Sequence, residues 1–327
     1  MFGRRLLICA WMLLTPRPVA AIQQPGASDS VGAELVVRVL DVGQGDAIYI
    51  ENGSSRVLID GGPSTAALGR YLDSLGLNDS TIDVVVLSHA HLDHYSGLRE
   101  LFRTSRNISV RYFFENKDLS AAVTLSRLRD SVLARMDRGN LVYRDTDDPC
   151  SNGVRICTIT MAGGAKLHIM APMPGAASAN NRSAAVKLVG PDSASFTMWL
   201  AGDAEYAALR WFEQAGYSSN PGMVVSVLKA DHHGSCNGVT SRYLALTHPA
   251  WVVASLGASN GYGHVHTQAK RVYRQAQVPW YRTDRNGTVT IRAPGVRGGG
   301  FTITPEQQGI SLSGGSDRRS KQAGCNP

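Results

Sequence analysis

The chain has 327 residues, of which 43% are hydrophobic and 18% are charged. This composition supplies enough apolar material for a large core and excludes a disordered or fibrous protein, so one large globular unit or two fused halves is expected. Lys and Arg number 33 against 26 Asp and Glu, a formal charge of +7, and nine His and five Cys are the other counts that need an explanation.

Residues 1–21 have the pattern of an export signal. Arg4 and Arg5 precede an apolar run at 6–14, and small residues at 19–21 offer a cleavage site. The run is too short to cross a bilayer of about 30 Å as a helix. The pattern therefore predicts a periplasmic or extracellular protein without a stable membrane anchor, and a buried N-terminal helix is the alternative. Because this segment contains three Arg and no acidic residue, its removal lowers the formal charge from +7 to +4.

Export allows disulfides among the remaining cysteines. Cys150 and Cys157 flank a short, turn-rich segment that a disulfide can close. Cys236 and Cys325 form a second bridge or remain free. Four cysteines allow three full pairings, and the sequence does not choose among them.

The first part of the chain alternates strand-like and helix-like segments. Runs at 35–40, 47–50 and 56–59 are rich in Val and Ile and predict an antiparallel meander. The continuous apolar run at 82–87 predicts a strand buried on both faces, which is typical of layered α/β folds. The remaining predictions in this part are helices at 66–75 and 119–138 and a strand at 167–170.

The second part repeats this alternation after a Pro- and Gly-containing segment at 172–183, which we interpret as the joint between two halves. A turn at 284–287 is predicted to join the last two strands. The domain is expected to span 33–293, and 294–327 is expected to be a flexible C-terminal tail. The predicted strands are 185–189, 196–200, 224–228, 251–256, 280–283 and 288–292, and the predicted helices are 204–214, 241–246 and 267–275.

The histidines are the most informative residues because seven of the nine form three tight groups. Each group follows a predicted buried strand or the loop after one, where α/β folds place ligand sites. The groups are His89, His91 and His94; His232 and His233; and His264 and His266.

The first group has the spacing of a metal site. In an extended loop, His89 and His91 project to the same side, so that both imidazoles reach one ion. Asp93 and His94 follow where the chain turns towards a helix and are able to serve a second ion. Imidazole and carboxylate ligands suit Zn, Mn or Fe, and a site with few protein ligands keeps positions open for water.

This segment, His89-Ala90-His91-Leu92-Asp93-His94, resembles the H-x-H-x-D-H motif of the metallo-β-lactamase superfamily. The resemblance implies a four-layer αββα sandwich of two fused halves. It also implies that Asp60 supports the metal loop from behind and that Asp203 bridges two ions. A histidine after a late strand is expected, and His232-His233 supplies it.

Further motifs in the same order resemble the hydrolase domain of ComEC-type DNA-uptake proteins over 37–291. They are the segments 41–46, 202–205, 228–235, 262–266 and 283–287. One superfamily ligand is missing, because the only histidine between the first motif and Asp203 is His168, inside a predicted strand. The segment 180–183 stands in that place and resembles the Asn-Ser element of this group.

The resemblance implies a site for two divalent ions, Zn or Mn. The first ion takes His89, His91 and Asp203. The second takes Asp93, His94, Asp203 and one of His232 and His233, of which His233 is favoured, leaving His232 to face the substrate. The residues expected to be catalytic are Asp93, His232 and His264, and those expected to contact substrate are Asn181, Ser235 and His266.

Several functions follow from this site. The leading hypothesis is an exported phosphodiesterase or nuclease that attacks DNA, including single-stranded DNA, with a hydroxide held between the two ions. The alternative is a cell-surface phosphorylcholine esterase or other phosphoesterase. A non-catalytic DNA-uptake accessory protein stays open, whereas the missing histidine and Asp203 argue against a β-lactamase. The sequence does not specify the oligomeric state.

Overall fold

The structure is a computed structural model that describes residues 31–117, 122–150, 153–258, 260–308 and 325. The predicted export signal lies outside these residues. Among them, no helix is long and apolar enough to span a membrane.

The strands are β1 Leu35–Val39, β2 Ile48–Asn52, β3 Ser55–Ile59, β4 Thr81–Val86, β5 Ser109–Glu115, β6 Val142–Asp145, β7 Ile156–Thr160, β8 Lys166–Met170, β9 Ala185–Val189, β10 Thr197–Leu200, β11 Val227–Lys229, β12 Trp251–Ala254, β13 Trp280–Arg282, β14 Val289–Ala293 and β15 Thr302–Pro305.

The helices pack on the outside of the sheets. They are α1 Thr65–Ser74, α2 Leu92–Tyr95, α3 Val123–Asp137, α4 Tyr206–Gln214, α5 Ser241–Thr247, α6 Thr267–Gln275 and α7 Thr283–Asn286. Five 3-10 turns matter for the site or its surroundings, namely Ser96–Phe102, Thr104–Arg106, Asn180–Arg182, Asp231–Gly234 and Cys236–Gly238. Helix α1 starts after Ser64, whose hydroxyl accepts a hydrogen bond from the amide of Ala67, as an N-cap does.

Two large sheets form the centre of the molecule. The first has the order β15-β14-β1-β2-β3-β4-β5-β6, and the second has the order β13-β12-β11-β10-β9-β8-β7. Strands β1, β2 and β3 are the antiparallel meander that the sequence predicts. Strands β3 to β6 are parallel. The sequence analysis missed β5 and β6, because charged residues interrupt both and neither shows a continuous apolar run.

The chain changes sheet earlier than the sequence predicts. Strand β6 is the edge of the first sheet and β7 is the edge of the second, so the change occurs at 146–155. Strands β8 and β9 pair with each other antiparallel, which makes 172–183 a connection within the second sheet. The prediction of a joint near 172–183 is therefore wrong, and the Pro and Gly residues there belong to an irregular loop beside the site.

The C-terminal part also departs from the predictions. Strand β13 pairs with β12 in the second sheet, whereas β14 pairs with β1 in the first, so the two strands are not a hairpin. Strand β15 pairs with β14 inside the predicted tail, and the tail prediction is wrong for 302–305. A short edge strand with alternating Thr and Ile has too few apolar residues to stand out from a polar sequence.

The layers confirm the αββα sandwich. One apolar core lies between the sheets and joins residues of both, for example Val37 of β1 and Leu188 of β9. A second core, which includes Leu68, packs helices on the first sheet, and a third, which includes Phe212, packs helices on the second. Burial of apolar side chains on both faces of each sheet is the main force that holds the four layers together.

The strand register places the loops that carry the predicted site residues at one edge of the first sheet. Val39 pairs with Ile48, Ile48 with Ile59, and Ile59 with Val86. The carboxyl ends of β1, β3 and β4 therefore lie in one row. The loops that follow them carry the motif residues at 41–46, at 60 and at 89–94.

The structure pairs all four cysteines that follow the predicted signal. Cys150 bonds to Cys157, with Cα atoms 5.1 Å apart, and Cys236 bonds to Cys325, with Cα atoms 5.4 Å apart. The second disulfide attaches Cys325 to Cys236, which lies three positions after His233 in the sequence.

Candidate metal centre

The first group of candidate ligands consists of His89, His91 and Asp203. Their ligand atoms all lie within 4.8 Å of one another. The Nε2 atom of His89 is 3.8 Å from an oxygen of Asp203, and the rings of His89 and His91 are 4.6 Å apart. His89 and Asp203 are buried, whereas His91 is exposed and leads into α2. This arrangement offers three protein ligands and an open side.

The second group consists of Asp93, His94, Asp203 and His233, also within 4.8 Å of one another. Asp203 is 3.2 Å from Nε2 of His94 through one oxygen and 3.3 Å from Nε2 of His233 through the other. Nε2 of His233 is 3.4 Å from an oxygen of Asp93. Asp203 therefore belongs to both groups, in the position that a bridging carboxylate takes.

The buried atoms of these groups fit a metal. The Nε2 atoms of His89, His94 and His233 and one oxygen of Asp203 are buried and make no hydrogen bond within the described residues. Buried polar atoms in proteins are almost always satisfied. Four unsatisfied nitrogen and oxygen ligand atoms that converge on one place have the chemistry of a divalent-cation site.

Two of the buried imidazoles, His94 and His233, are oriented from behind by their other nitrogen. Nδ1 of His94 lies 2.8 Å from Asp60, which also accepts hydrogen bonds from the amide and hydroxyl of Ser88, each at 2.7 Å. Nδ1 of His233 lies 2.8 Å from the carbonyl oxygen of Ser255. Donation from Nδ1 leaves Nε2 free for a metal, which is the usual outer support of a histidine ligand.

Asp46 adds a second support to His233 and is held by a buried lysine. One oxygen of Asp46 is 3.3 Å from Nδ1 of His233, and the other is ion-paired with Lys229. The side chains of Asp46, Lys229 and His233 are each only 1% exposed. Asp46 and Lys229 lie in the motif segments 41–46 and 228–235. The sequence analysis did not predict that these two residues contact each other.

The loop at 40–47 packs directly against the metal loop, which explains one of its glycines. Gly45 has φ +137°, and a Cβ atom there would lie 2.1 Å from the carbonyl oxygen of Asp93. The amide of Asp46 donates to that same carbonyl at 3.3 Å. Only glycine permits this approach, which brings Asp46 to His233.

The late histidine pair is held in a strained backbone. His232 has φ 48° and His233 has φ 56°, both in the left-handed region. Each such residue costs about 1–3 kcal/mol, and such strain is concentrated at functional sites. The two rings point differently. His233 enters the second ligand group, whereas His232 is 20% exposed, with Nε2 3.8 Å from Asp203.

His232 has partners that the sequence did not identify. Its Nδ1 lies 3.1 Å from the side-chain oxygen of Asn237 and 3.4 Å from a carboxylate oxygen of Glu205. The amide of Asn180 also donates to Glu205, at 2.8 Å. These contacts fix the ring with Nε2 towards the ligand groups, so His232 lies where a substrate would contact it.

The structure places His264 beside the ligand groups. Its ring centre is 5.4 Å from that of His232 and 6.0 Å from that of His233. Its Nδ1 is buried and makes no hydrogen bond within the described residues. Burial, together with the nearby His233 and His232, lowers the pKa of His264 to about 2. The ring is therefore neutral at ordinary pH and acts as a hydrogen-bond donor or acceptor, not as a stored acid.

Both ring nitrogens of His266 are engaged within the fold. Nδ1 accepts from the amide of Cys236 at 3.0 Å, and Nε2 lies 2.9 Å from the carbonyl oxygen of Tyr262. Ser235 is buried with its hydroxyl 3.4 Å from the same Nδ1. Both residues therefore hold the fold beneath the histidine loop, and their contacts with substrate stay predictions.

Asn181 is also used within the fold. Its side-chain oxygen accepts from the amides of Glu205 and Ala208 at 3.2 and 3.1 Å, and its amide donates to Ser178 at 3.1 Å. It thereby caps the start of α4, and its contact with substrate stays a prediction. From the same segment, Ser183 accepts from the amide of Asp203 at 3.1 Å and so helps to place that carboxylate.

The predicted absence of a middle histidine ligand agrees with the location of His168. This residue lies in β8, and its Nδ1 is 2.8 Å from the hydroxyl of Thr158, away from both ligand groups.

Charges within the site are strongly coupled. Burial alone would raise the pKa of Asp203, but His233, His94 and His232 hold it well below its usual range. Burial would likewise raise the pKa of Asp93, but the nearby imidazoles of His233 and His94 hold it well below its usual range. Both carboxylates are therefore ionised and available to a cation at neutral pH.

The same coupling acts on the imidazoles. Burial would lower the pKa of His94 and of His233, but Asp203, with Asp60 or Asp46, raises both well above the usual value of 6.5. Burial and the nearby His94 lower the pKa of His89 well below that value. Without metal, the positive charges of protonated His94 and His233 thus offset the negative charges of Asp203, Asp60 and Asp46.

This balance predicts how the metal-free protein responds to pH. A histidine whose pKa is higher in the folded state adds stability that is fully present below about pH 6.5 and is lost as the pH rises through the folded value. Burial raises the pKa of Asp231 to about 8, which acts in the same direction. We expect the melting temperature of chelator-treated protein to fall as the pH rises from about 6.5 to about 8.

Calorimetry or circular dichroism across that interval, with and without added Zn or Mn, measures this effect. Metal ions take the place of the protons, so the loaded protein should lose less stability as the pH rises. A melting temperature of the metal-free protein that increases with pH over the interval would contradict the arrangement of charges described above.

With this geometry in view, residues 40–112 match the Metallo-beta-lactamase superfamily. The matched segment contains Asp60 and the complete first histidine motif. The chain carries a metallo-beta-lactamase fold domain. Proteins of this superfamily are generally metal-dependent hydrolases, and the two ligand groups fit that chemistry.

Comparison with individual proteins gives one curated relative and several solved structures. The chain is 23% identical over 300 residues to ComE operon protein 3 of Bacillus subtilis (strain 168), a match that covers 84% of this chain and 35% of the relative. The chain thus spans about a third of the length of that protein. The similarity agrees with the resemblance to ComEC-type hydrolase domains.

The similar solved structures are distant in sequence. The metallo-beta-lactamase fold protein YhfI from Bacillus subtilis is 13% identical, with a TM-score of 0.49, and the match covers 76% of this chain and 96% of that one. The short form of human tRNase Z is 11% identical, with a TM-score of 0.43, and the match covers 67% and 90% of the two chains.

Proposed function

We propose that the protein is an exported hydrolase that uses two divalent ions, Zn or Mn, to cleave phosphodiesters, with DNA as the leading substrate. The observation that carries this proposal is the placement of Asp203 between the two ligand groups. Divalent ions bound there would lower the pKa of water and neutralise charge on the phosphoryl group.

The protein's own residues would then position the substrate. His91 marks the exposed side of the first ligand group, so substrate would enter there. His232, oriented by Asn237 and Glu205, faces the same place and is suited to contact a phosphoryl oxygen. Neutral His264 is suited to donate a hydrogen bond to a second oxygen as charge develops in the transition state.

One observation keeps a second substrate class open. Tyr262 is 63% exposed, and its ring stacks on His264 with centres 5.6 Å apart. An exposed aromatic ring at the rim of a phosphoryl site is suited to stack on a nucleobase. It is equally suited to contact the cation of a choline group. A phosphorylcholine esterase is therefore the alternative.

A substrate panel tests the proposal. Residues 22–327, prepared with Zn or with Mn, are given bis-p-nitrophenyl phosphate, single-stranded DNA, p-nitrophenyl phosphorylcholine and nitrocefin. We expect the first two to be cleaved, and we expect excess EDTA to abolish the cleavage. Preferential cleavage of the choline ester would select the alternative, and salt-dependent DNA binding without turnover would indicate an accessory protein. Turnover of nitrocefin alone would contradict the proposal.

Export is part of the same proposal and rests on residues 1–21 and on the two disulfides. Mass spectrometry of the protein recovered from the periplasm or medium of a bacterial host should find an N-terminus near residue 22. A full-length chain confined to the cytoplasm would contradict export without affecting the hydrolase.

A further inference from the structure

A cavity of about 370 Å³ lies on the outer face of the first sheet, lined by arginines from two elements. Arg99 and Arg103 come from the turn Ser96–Phe102 and the residue after it, and Arg127 comes from α3. We call this space the arginine cavity. The residues that matter here are Thr65, Arg99, Glu100, Arg103, Arg127 and Ser131.

The arginine cavity lies near the metal centre. Ile59, Val86 and Phe114 pair in one row, so β3, β4 and β5 end at the same edge of the sheet. The elements that line the cavity follow these three strands along the chain. The hydroxyl of Tyr95, next to His94, lies 2.7 Å from the hydroxyl of Thr124. This contact joins the metal loop to the first turn of α3.

The spacing along the helices gives an approximate distance. Arg127 lies three residues beyond Thr124, and Arg99 lies four residues beyond Tyr95. One helical turn is about 5–6 Å long. The near end of the cavity is therefore about 10–15 Å from the ligand His94.

The arginine cavity has an excess of positive charge. Among the residues that the structure describes, buried Glu100 is the one acidic residue that lines it, and Arg103 and Arg106 both bind that carboxylate. Within the described ranges, neither Arg99 nor Arg127 makes an ion pair or a side-chain hydrogen bond.

Four other arginines of the molecule bind carboxylates. Arg106 binds Asp73, Arg111 binds Asp83, Arg129 binds Glu115, and Arg182 binds Asp147. Arg99 and Arg127 thus place two guanidinium groups, neither of them in an ion pair within the described residues, in one cavity close to the candidate metal centre. A planar guanidinium fits a phosphate through two parallel hydrogen bonds, and an anion in this cavity would meet two of them.

We propose that the arginine cavity binds an internal phosphate of a single-stranded nucleic acid, about three to four nucleotides from the bond that is cut. This inference rests on the proposed function. The distance follows from a rise of about 3.4 Å per nucleotide in a stacked strand. A cavity at that position selects a polymer over a small phosphodiester, because only a polymer occupies both sites at once.

The test compares two matched double variants. Arg99→Gln with Arg127→Gln removes the two unpaired charges. The control is Arg138→Gln with Arg297→Gln, which removes two exposed arginines far from the site. Arg138 follows the distal end of α3, and Arg297 lies beyond Ala293, which pairs with the first residue of β1.

Hydrolysis is measured on bis-p-nitrophenyl phosphate and on oligothymidylates of two to twelve nucleotides. For the wild type and the control, KM should fall as the oligomer grows beyond about four nucleotides. For the Arg99 and Arg127 variant, we expect KM for the twelve-mer to rise about tenfold, while the small ester is unaffected. An equal loss on the small ester, or no change at any length, would overturn the proposal.

Equilibrium binding separates this inference from the proposed function. Fluorescence anisotropy of labelled twelve-mer, measured in EDTA, needs no turnover. The variant should bind about tenfold more weakly than the control, and its affinity should depend less steeply on salt. Equal affinities of the variant and the control would overturn the cavity proposal even if the wild type cleaves DNA. Weaker binding by the variant without any cleavage would retain the cavity and overturn the nuclease.

Discussion

Asp203→Asn is expected to lower turnover of bis-p-nitrophenyl phosphate by at least about 10³-fold. Asp203 is the one carboxylate that belongs to both ligand groups, and an amide cannot supply the negative charge that bridges two cations. A loss of that size corresponds to about 4 kcal/mol of transition-state stabilisation. Metal analysis of the variant should also show that fewer ions are retained than in the wild type.

Asn has nearly the shape of Asp, so the fold should survive the substitution. The exposed Asp130→Asn in α3 makes the same chemical change away from the site and should retain full activity. Near-wild-type turnover by a folded Asp203→Asn protein would show that the proposed site does not perform the reaction.

Lys229→Met is expected to have the second largest effect, on both stability and metal binding. The substitution leaves Asp46 charged, buried and without its strongest partner. Removing one member of a buried ion pair costs about 3 kcal/mol or more. Asp46 also supports His233, so affinity for the ion of the second group should fall about 10- to 100-fold.

Lys187→Met is the matched control. Lys187 is also buried, but its ammonium donates to the backbone carbonyls of Pro221 and Gly222, away from the ligand groups. Both lysine variants should unfold at lower denaturant concentration, whereas only Lys229→Met should bind metal more weakly in a competitive titration. An equal metal affinity in the two variants would contradict a positioning role for Lys229.

Asp46→Asn separates charge from shape in the same network. The amide oxygen of Asn keeps an uncharged oxygen beside Nδ1 of His233, but the charge that Lys229 stabilises is gone. A drop in metal affinity close to that of Lys229→Met would show that the intact Asp46–Lys229 ion pair is needed to position His233. Unchanged metal affinity would show that an uncharged oxygen at residue 46 is sufficient.

The sequence predicted which candidate ligands lie together, because these residues occupy short motifs. Histidines at i and i+2 after a buried strand have few uses other than a metal site, and the structure brings His89, His91, Asp93 and His94 together with Asp203 and His233. The core strands were also predictable, because buried parallel strands are continuous apolar runs.

The supporting contacts were not predictable, because they join residues far apart in the chain. Asp46 and Lys229 are separated by 183 positions, and only the folded register brings them together. The contacts that Asn181 and His266 make within the fold were not predictable for a related reason. A polar residue inside a motif is as suited to capping a helix or holding a loop as to touching a substrate, and only its partners decide which.

The sequence analysis also failed to predict which of the two sheets some strands belong to. The segment 172–183 has the composition of a linker, yet it joins two paired strands. The strands at 280–282 and 289–293 are separated by a short turn, yet they belong to different sheets. Local composition reports where a chain turns but not which strand it pairs with next, since pairing depends on distant partners.

The most direct test of the central claim is a crystal structure of the metal-loaded protein with anomalous scattering at the metal edge. We expect two peaks about 3.5–4 Å apart, with Asp203 between them. One peak should lie on His89 and His91, and the other on Asp93, His94 and His233. A single peak, or two peaks that do not share Asp203, would contradict a two-metal centre bridged by this carboxylate.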